Sequence, residues 1–221
     1  MNHSPSDSIL DLSVRDLLER LGSAAPAPGG GAAAALAGAL GAALVQMTAN
    51  LSIGRPRLAD IEAQARQIEA RAADLRRQLA DLGDADAQAY ARLSAAYKLP
   101  RQTPAQHTER SMAIQRALHQ AAQVPLETAR LCTAVLELAE TAAPLLNPSV
   151  ISDVMVGALL AQAALDGAAL NVDVNLAAMT DAPAVEQLQL QLDHVRSGSA
   201  ERLQRILAAA QSRLSKPVHK R

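Results

Sequence analysis

The stretch Ala27-Pro28-Gly29-Gly30-Gly31, followed directly by the small-residue run Ala32 to Ala49, constrains this chain more than any other. Three consecutive glycines bring backbone close to a neighbour and leave N–H groups unpaired at the mouth of a helix, where the macrodipole favours negative charge. The segment therefore reads either as an anion-binding cradle or as a flexible loop entering a helix. It matches neither dinucleotide nor P-loop spacing, because no Lys-Ser/Thr pair follows and no strand precedes it. The helix beyond, AAAALAGALGAALVQMTANL, is built on Ala, the strongest helix former, with Gly38 and Gly41 inside it. Small side chains on so many faces let other helices approach closely, so a buried central helix is expected. A transmembrane span is the weaker reading, since Ala and Gly supply little transfer energy and Gln46, Thr48 and Asn50 interrupt the end.

The rest of the composition agrees with closely packed helices. Hydrophobic residues make up 49% of the 221, yet Phe and Trp are absent and only two Tyr occur. A core of Ala, Leu, Val and Ile argues against a sandwich or barrel. The expected fold is all-α, an up-and-down bundle of long Ala-rich helices in one domain over residues 9–214, with a disordered N-terminus (1–8) and a basic tail (215–221). A net charge of −1 offers no electrostatic footprint for nucleic acid. The single cysteine, Cys132, rules out an internal disulfide and any multi-Cys zinc site, and the histidines at 3, 107, 119, 194 and 219 form no metal-spaced pair. The N-terminal MNHSPSDS lacks the features of a signal peptide, so a cytoplasmic protein without a membrane partner is expected.

Along the chain, Ile9 to Leu21 has helical spacing and ends at Gly22, a C-cap signal. Ile53 to Arg57 breaks the chain and carries two guanidiniums. Leu58 to Tyr97 is amphipathic, open to interruption near Gly83, with Glu62, Arg66, Glu69 and Arg76 on a solvated face. Thr103-Pro104 resembles an N-cap with a first-turn proline. In the following helix, Ala105 to Ala143, Pro125 is expected to cause a kink or split, and Cys132 reads as a small buried hydrophobe. A last amphipathic stretch, Ala184 to Leu214, has a break signal at Ser197-Gly198-Ser199.

Two polar stripes stand out. Asp86, Tyr90, Leu93 and Tyr97 fall at spacings of four, three and four, so they share one helix face, as core residues or as a ligand-facing wall. Asp153 and Asn171 are eighteen residues apart, five full turns, and Asn175 follows one turn later. Gly157, Leu160, Ala164 and Ala168 lie between them. If buried, that face carries a carboxylate at its head and two amides at its foot, all needing partners. Asp166 and Asp173 lie off the line and read as solvated.

Three segments, APAPGGGAAAALAGALGAALVQMTANLSIGR, DADAQAYARLSAAYKLP and NPSVISDVMVGALLAQAALDGAALNVDVNL, resemble in order and spacing the formiminotetrahydrofolate cyclodeaminase and methenyltetrahydrofolate cyclohydrolase family. The resemblance covers nearly the whole chain apart from its ends. It implies an all-helical subunit dimerising through helices, a tetrahydrofolate derivative as small-molecule substrate, and a site in a groove between helices and across the dimer interface. Carried over by position, substrate-binding residues would be Gly29, Gly30, Gly31, Asn50, Arg55, Asn171 and Asn175, with Gly54 in the polar turn, and Asp153, Asp86 and Ser152 catalytic; Tyr90 joins the substrate-binding set from its place on the Asp86 stripe. Cyclodeaminases commonly have serine after the glycines; this chain has Ala32, which favours the cyclohydrolase branch. Pro56-Arg57 stands where relatives often carry lysines.

A cyclohydrolase adds water to the methenyl carbon and collapses the adduct to the 10-formyl compound, which needs a base for the water and a donor for the departing ring nitrogen. A cyclodeaminase closes the ring and expels ammonia, which needs an acid at the amine. Neither calls for a metal or cofactor, since the methenyl carbon is already a cationic electrophile. Asp153 is assigned as base or proton shuttle, Asp86 as the cation-stabilising carboxylate, and Ser152, Asn171 and Asn175 as groups orienting pterin or water. The anionic glutamate tail would favour Arg55, with Arg57, Lys98 and the glycine amides as weaker contacts. A non-catalytic folate-binding helical oligomer is the alternative outside enzymology.

Overall fold

Ala-rich segments punctuated by caps resolve into seven helices in the computed structural model, which describes residues 8–214. Residues 1–7 of the expected disordered N-terminus and the expected basic tail, 215–221, lie outside the described residues. The helices are α1 (Val14–Leu21), α2 (Gly30–Asn50), α3 (Glu62–Tyr97), α4 (Pro104–Ala142), α5 (Ile151–Ala177), α6 (Ala182–Arg196) and α7 (Ser199–Leu214), with no strand among the described residues.

Helices α2 to α5 form the expected up-and-down bundle. Gln46 bonds Glu69 while Ala32 bonds Asp86, so α2 and α3 run antiparallel. Arg110 reaches Tyr97 across the α3–α4 turn, and Asn175 and Gln115 tie the end of α5 to α4. The α2–α5 crossing is close because both helices present glycine there. A Cβ on Gly41 would lie 2.7 Å from the Gly157 carbonyl oxygen, and one on Gly157 would lie 2.8 Å from that of Gly41. Helices α6 and α7 pack outside, α7 held by Arg202 and Arg205 on Glu140.

Several local expectations change in the folded chain. Ile9 to Leu21 is not one helix: a 3-10 turn (Ile9–Asp11) precedes α1, whose N-cap Ser13 accepts from the Asp16 N–H. Ser8 belongs to the fold, donating to Asp84 at 2.5 Å. Helix α3 passes Gly83 unbroken, and the missing side chain leaves room for Ile9, whose Cδ1 would lie 3.1 Å from a Cβ there. Gly198, at φ +71°, does separate α6 from α7. Thr103 and Gln106 form a full capping box at the start of α4.

By length and composition, α2 and the Pro148–Ala177 stretch could each cross a membrane. In the fold α2 is enclosed by its neighbours, with Ala32, Ala35, Ala42, Val45 and Ala49 fully buried. Helix α5 is different. It buries one side and presents Val156, Leu159, Leu170 and Val174 on the other, all at least 47% exposed.

Candidate functional site

The glycine run does not lie open for an external anion at every N–H. Helix α3 carries Asp86 to the N-terminus of α2, where its Oδ2 accepts the Ala32 N–H at 2.9 Å. A Cβ on Gly31 would collide with that carboxylate. The cradle is thus partly filled by the protein's own anion, held by backbone and helix dipole. Burial raises the proton affinity of Asp86 above the ordinary aspartate range, and the Ala32 hydrogen bond opposes this in part. A carboxyl group poised in this way can take up or release a proton closer to neutral pH than a solvated one.

A cavity of about 320 Å³ opens in front of it, lined by Gly29, Gly30, Gly31, Asp86, Tyr90, Leu93, Asn171 and Asn175 among others. Asp86 is the only acidic residue in that lining. Tyr90 is 43% and Tyr97 47% exposed, so neither is a core residue, and Tyr90 forms a wall of the cavity. The two asparagines use their amide nitrogens on main-chain carbonyls. Asn171 donates to Gly167 at 2.8 Å, and Asn175 donates to Asn171 at 2.8 Å and to Ala121 at 3.2 Å. Because those partners only accept, the orientation of both amides is set, and each keeps its carbonyl oxygen as an acceptor for donors in the cavity.

The Ala121 contact explains why Pro125 does not split α4, which runs unbroken from Pro104 to Ala142. Proline has no N–H for the carbonyl four residues back, here that of Ala121. The Asn175 amide supplies the missing donor. Motif reasoning missed Ala121, which lines the cavity, and Pro125, which leaves the Ala121 carbonyl free for Asn175. The i−4 arithmetic identifies the orphaned carbonyl from sequence, but its partner, on another helix, emerges only in the fold.

Asn50, Arg55, Ser152 and Asp153 gather at the opposite end of the bundle. Asp153 and Asn171 do share a stripe, with Gly157, Ala164 and Ala168 buried between them, but eighteen residues of helix separate them by roughly 27 Å. Within one subunit Asp153 and Asp86 do not share a cavity. Arg55 is exposed, its Nε on the Leu51 carbonyl at 3.3 Å, and with Arg57, Asn147 and Ser149 it lines a cleft of about 550 Å³. Ser52 and Asn147 brace that end: the Ser52 hydroxyl accepts the Asn147 N–H at 2.9 Å, and the Asn147 amide donates to Leu51 at 3.0 Å. Cys132 is buried, its thiol pushed up to about 12, consistent with a packing role. Among the described residues, no group of three or more His, Cys, Asp or Glu could hold a metal ion.

Comparison with known proteins matches this arrangement to a family. The family model described as formiminotransferase-cyclodeaminase matches residues 13–194. The chain belongs to the formiminotransferase-cyclodeaminase family. Among family relatives, a methenyltetrahydrofolate cyclohydrolase of Methylorubrum extorquens is 38% identical over 92% of this chain and 98% of its own length. The formimidoyltransferase-cyclodeaminase of Rattus norvegicus is also 38% identical, over 80% of this chain but only 33% of that longer protein. The crystal structure of formiminotetrahydrofolate cyclodeaminase from Thermotoga maritima has the same family fold, with a TM-score of 0.83 at 25% identity, covering 93% of this chain and 98% of that one.

Proposed function

We propose that this chain is a methenyltetrahydrofolate cyclohydrolase, hydrolysing 5,10-methenyltetrahydrofolate to 10-formyltetrahydrofolate. The observation that carries the reading is Asp86: a half-buried carboxyl group of raised proton affinity, held by the Ala32 N–H in a cavity it shares with two oriented amides. The match to the Methylorubrum cyclohydrolase over 98% of its length supports the same branch. So does Ala32, whose fully buried methyl stands where a cyclodeaminase commonly has a hydroxyl.

In this reading the ionised Asp86 faces the methenyl carbon and stabilises its positive charge. Water adds to that carbon, and its proton passes to the carboxylate. The adduct's hydroxyl then loses its proton to solvent as the carbon–oxygen double bond forms and the carbon–N5 bond breaks; N5 takes the proton held by Asp86, and the formyl group stays on N10. The Asn171 and Asn175 carbonyl oxygens accept from pterin N–H groups or from the attacking water. The chemistry needs no metal or cofactor, and the reading assigns it to the cytoplasm without a nucleic-acid or membrane partner.

The exposed apolar stripe of α5, with Leu40 and Met47 of the adjacent α2 also exposed, supports a homodimer. An isologous contact with a two-fold axis near the middle of α5 sets the Asp153 end of one subunit against the Asn171 end of the other. Asp153, Ser152, Asn50 and Arg55 then join the Asp86 cavity from the second copy, Asp153 as proton shuttle and Arg55 near the substrate tail.

Stopped-flow spectroscopy tests the activity: accelerated loss of the methenyl chromophore supports hydrolysis. Accelerated formation of that chromophore with ammonia release from formiminotetrahydrofolate would instead favour the cyclodeaminase, a reading the Thermotoga fold also supports. Binding without either rate would leave a non-catalytic folate-binding oligomer. Mixing Asp86→Asn with Asp153→Asn subunits tests the shared site, because hybrid dimers regain one intact cavity; no recovery would refute the assignment of Asp153 to the partner.

A further inference from the structure

The aromatic stripe of α3 continues beyond the cavity and ends on a cation. The Arg110 guanidinium lies 5.9 Å from the centroid of the Tyr97 ring, and its Nε and Nη2 donate to the Tyr97 carbonyl at 3.3 and 3.1 Å. A guanidinium has five N–H donors, so this contact leaves others unused, and Arg110 forms no ion pair with any described carboxylate. Asp86 to Tyr97 spans eleven residues of one helix, roughly 16 Å of rise. Tyr90 and Leu93 line the way, and no other aromatic side chain exists in the protein.

We infer that Arg110, held beside the Tyr97 ring and on its carbonyl, binds the carboxylates of the substrate's first glutamate. This rests on the folate reading above. With the reacting carbon at Asp86, the benzoyl ring and amide that follow run along Tyr90 and Leu93, and the glutamate arrives at Tyr97. The two bonds to the Tyr97 carbonyl at the α3 terminus pre-orient the guanidinium, with the ring as a cation–π neighbour, and its remaining N–H groups suit capture of a carboxylate. Lys98 and Arg101, exposed in the same turn, add positive charge where a longer tail would leave the protein. The subsite lies in the same subunit as Asp86, unlike Arg55.

The test compares wild type, Arg110→Gln and Arg110→Lys on methenyltetrahydrofolate and on methenyltetrahydropteroate, which lacks the glutamate. For Arg110→Gln, kcat/KM on the glutamylated substrate should fall about tenfold further than on the pteroate, the size expected for a lost charge-assisted bond. The Lys variant should recover part of that preference. An equal loss on both substrates would mean that Arg110 serves only to cap α3, and would overturn the inference. So would a selective loss produced by Arg55→Ala and not by Arg110→Gln, which would give the first glutamate to Arg55 of the second copy instead. Wild-type protein inactive on both compounds would reject the folate reading itself, a result distinguishable from the other two.

Discussion

The two ends of the α2–α5 pair treat charge in opposite ways. At the glycine end, one carboxylate is half-buried against a helix N-terminus and two amides are locked onto main-chain carbonyls. At the arginine end, Arg55, Arg57 and Ser152 stand in solvent beside a larger cleft, about 550 Å³ against about 320 Å³, with no acidic residue in its lining. Volume alone would favour the arginine end. What marks the glycine end is an ionisable group whose burial and backbone contact shift its proton affinity, the combination that acid-base chemistry needs. The arginine end holds Arg55, Ser152 and Asp153 around a more open, solvent-facing surface.

The sharpest way to break this contrast is Asp86→Asn. The amide oxygen can still accept the Ala32 N–H, so the fold should persist while turnover falls by about 10²–10⁴-fold. Because burial raises the folded-state proton affinity of Asp86, its ionised form opposes folding at neutral pH, and that cost is relieved as pH falls through the folded-state value. Asp86→Asn should therefore be at least as stable as wild type at pH 7, and the stability difference should shrink in acid. A variant that loses stability together with activity would assign Asp86 to structure instead.

Next in size is a pair of glycine substitutions two residues apart in sequence and opposite in expected effect. Gly31→Ala drives a methyl into the Asp86 carboxylate, so it should cost about 1–3 kcal/mol and most of the activity. Gly29→Ala meets nothing within 4 Å and should cost little of either. Equal effects, measured by thermal unfolding and by initial rates, would show that the run acts as a flexible hinge and not as a seat for the carboxylate.

The pH profile distinguishes the ends more gently. If ionised Asp86 is the working form, kcat/KM should decline as pH falls, with a midpoint above the usual aspartate range. Asp153→Asn should leave that midpoint in place even where it lowers the rate. A midpoint that moves with Asp153 would transfer the proton chemistry to the arginine end.

The helices were legible because Ala periodicity, Thr103-Pro104 and Ser197-Gly198 are local signals, and local signals survive into the fold. Asp86, Tyr90, Asn171 and Asn175 were legible as members of stripes. Which stripes meet was not, because a helix repeats its face every turn and periodicity holds no information on depth along the axis. Asp153 and Asn171 illustrate this: they have the same direction and lie five turns apart. Gly83 and Pro125 misled for a related reason. Each looks like a break in one helix, and each instead serves a contact with a side chain from elsewhere: Gly83 leaves room for Ile9, and Pro125 frees the Ala121 carbonyl for Asn175.

Pro125 supplies the smallest expected effect and the finest test of the glycine end. Restoring an N–H with Pro125→Ala lets α4 satisfy the Ala121 carbonyl internally, in competition with Asn175. A helix-interior proline costs up to about 3 kcal/mol, so the variant should be more stable, as read by the thermal midpoint. Asn175 still holds the Asn171 carbonyl at 2.8 Å, so its displacement is partial. Activity should fall roughly tenfold, less than the 10²-fold that a 1 Å misplacement can cost. Greater stability with lower activity would mean that the proline is retained to hold an amide in the cavity. Greater stability with full activity would mean that Asn175 reaches its position without help from α4, and that its role in the site is set by α5 alone.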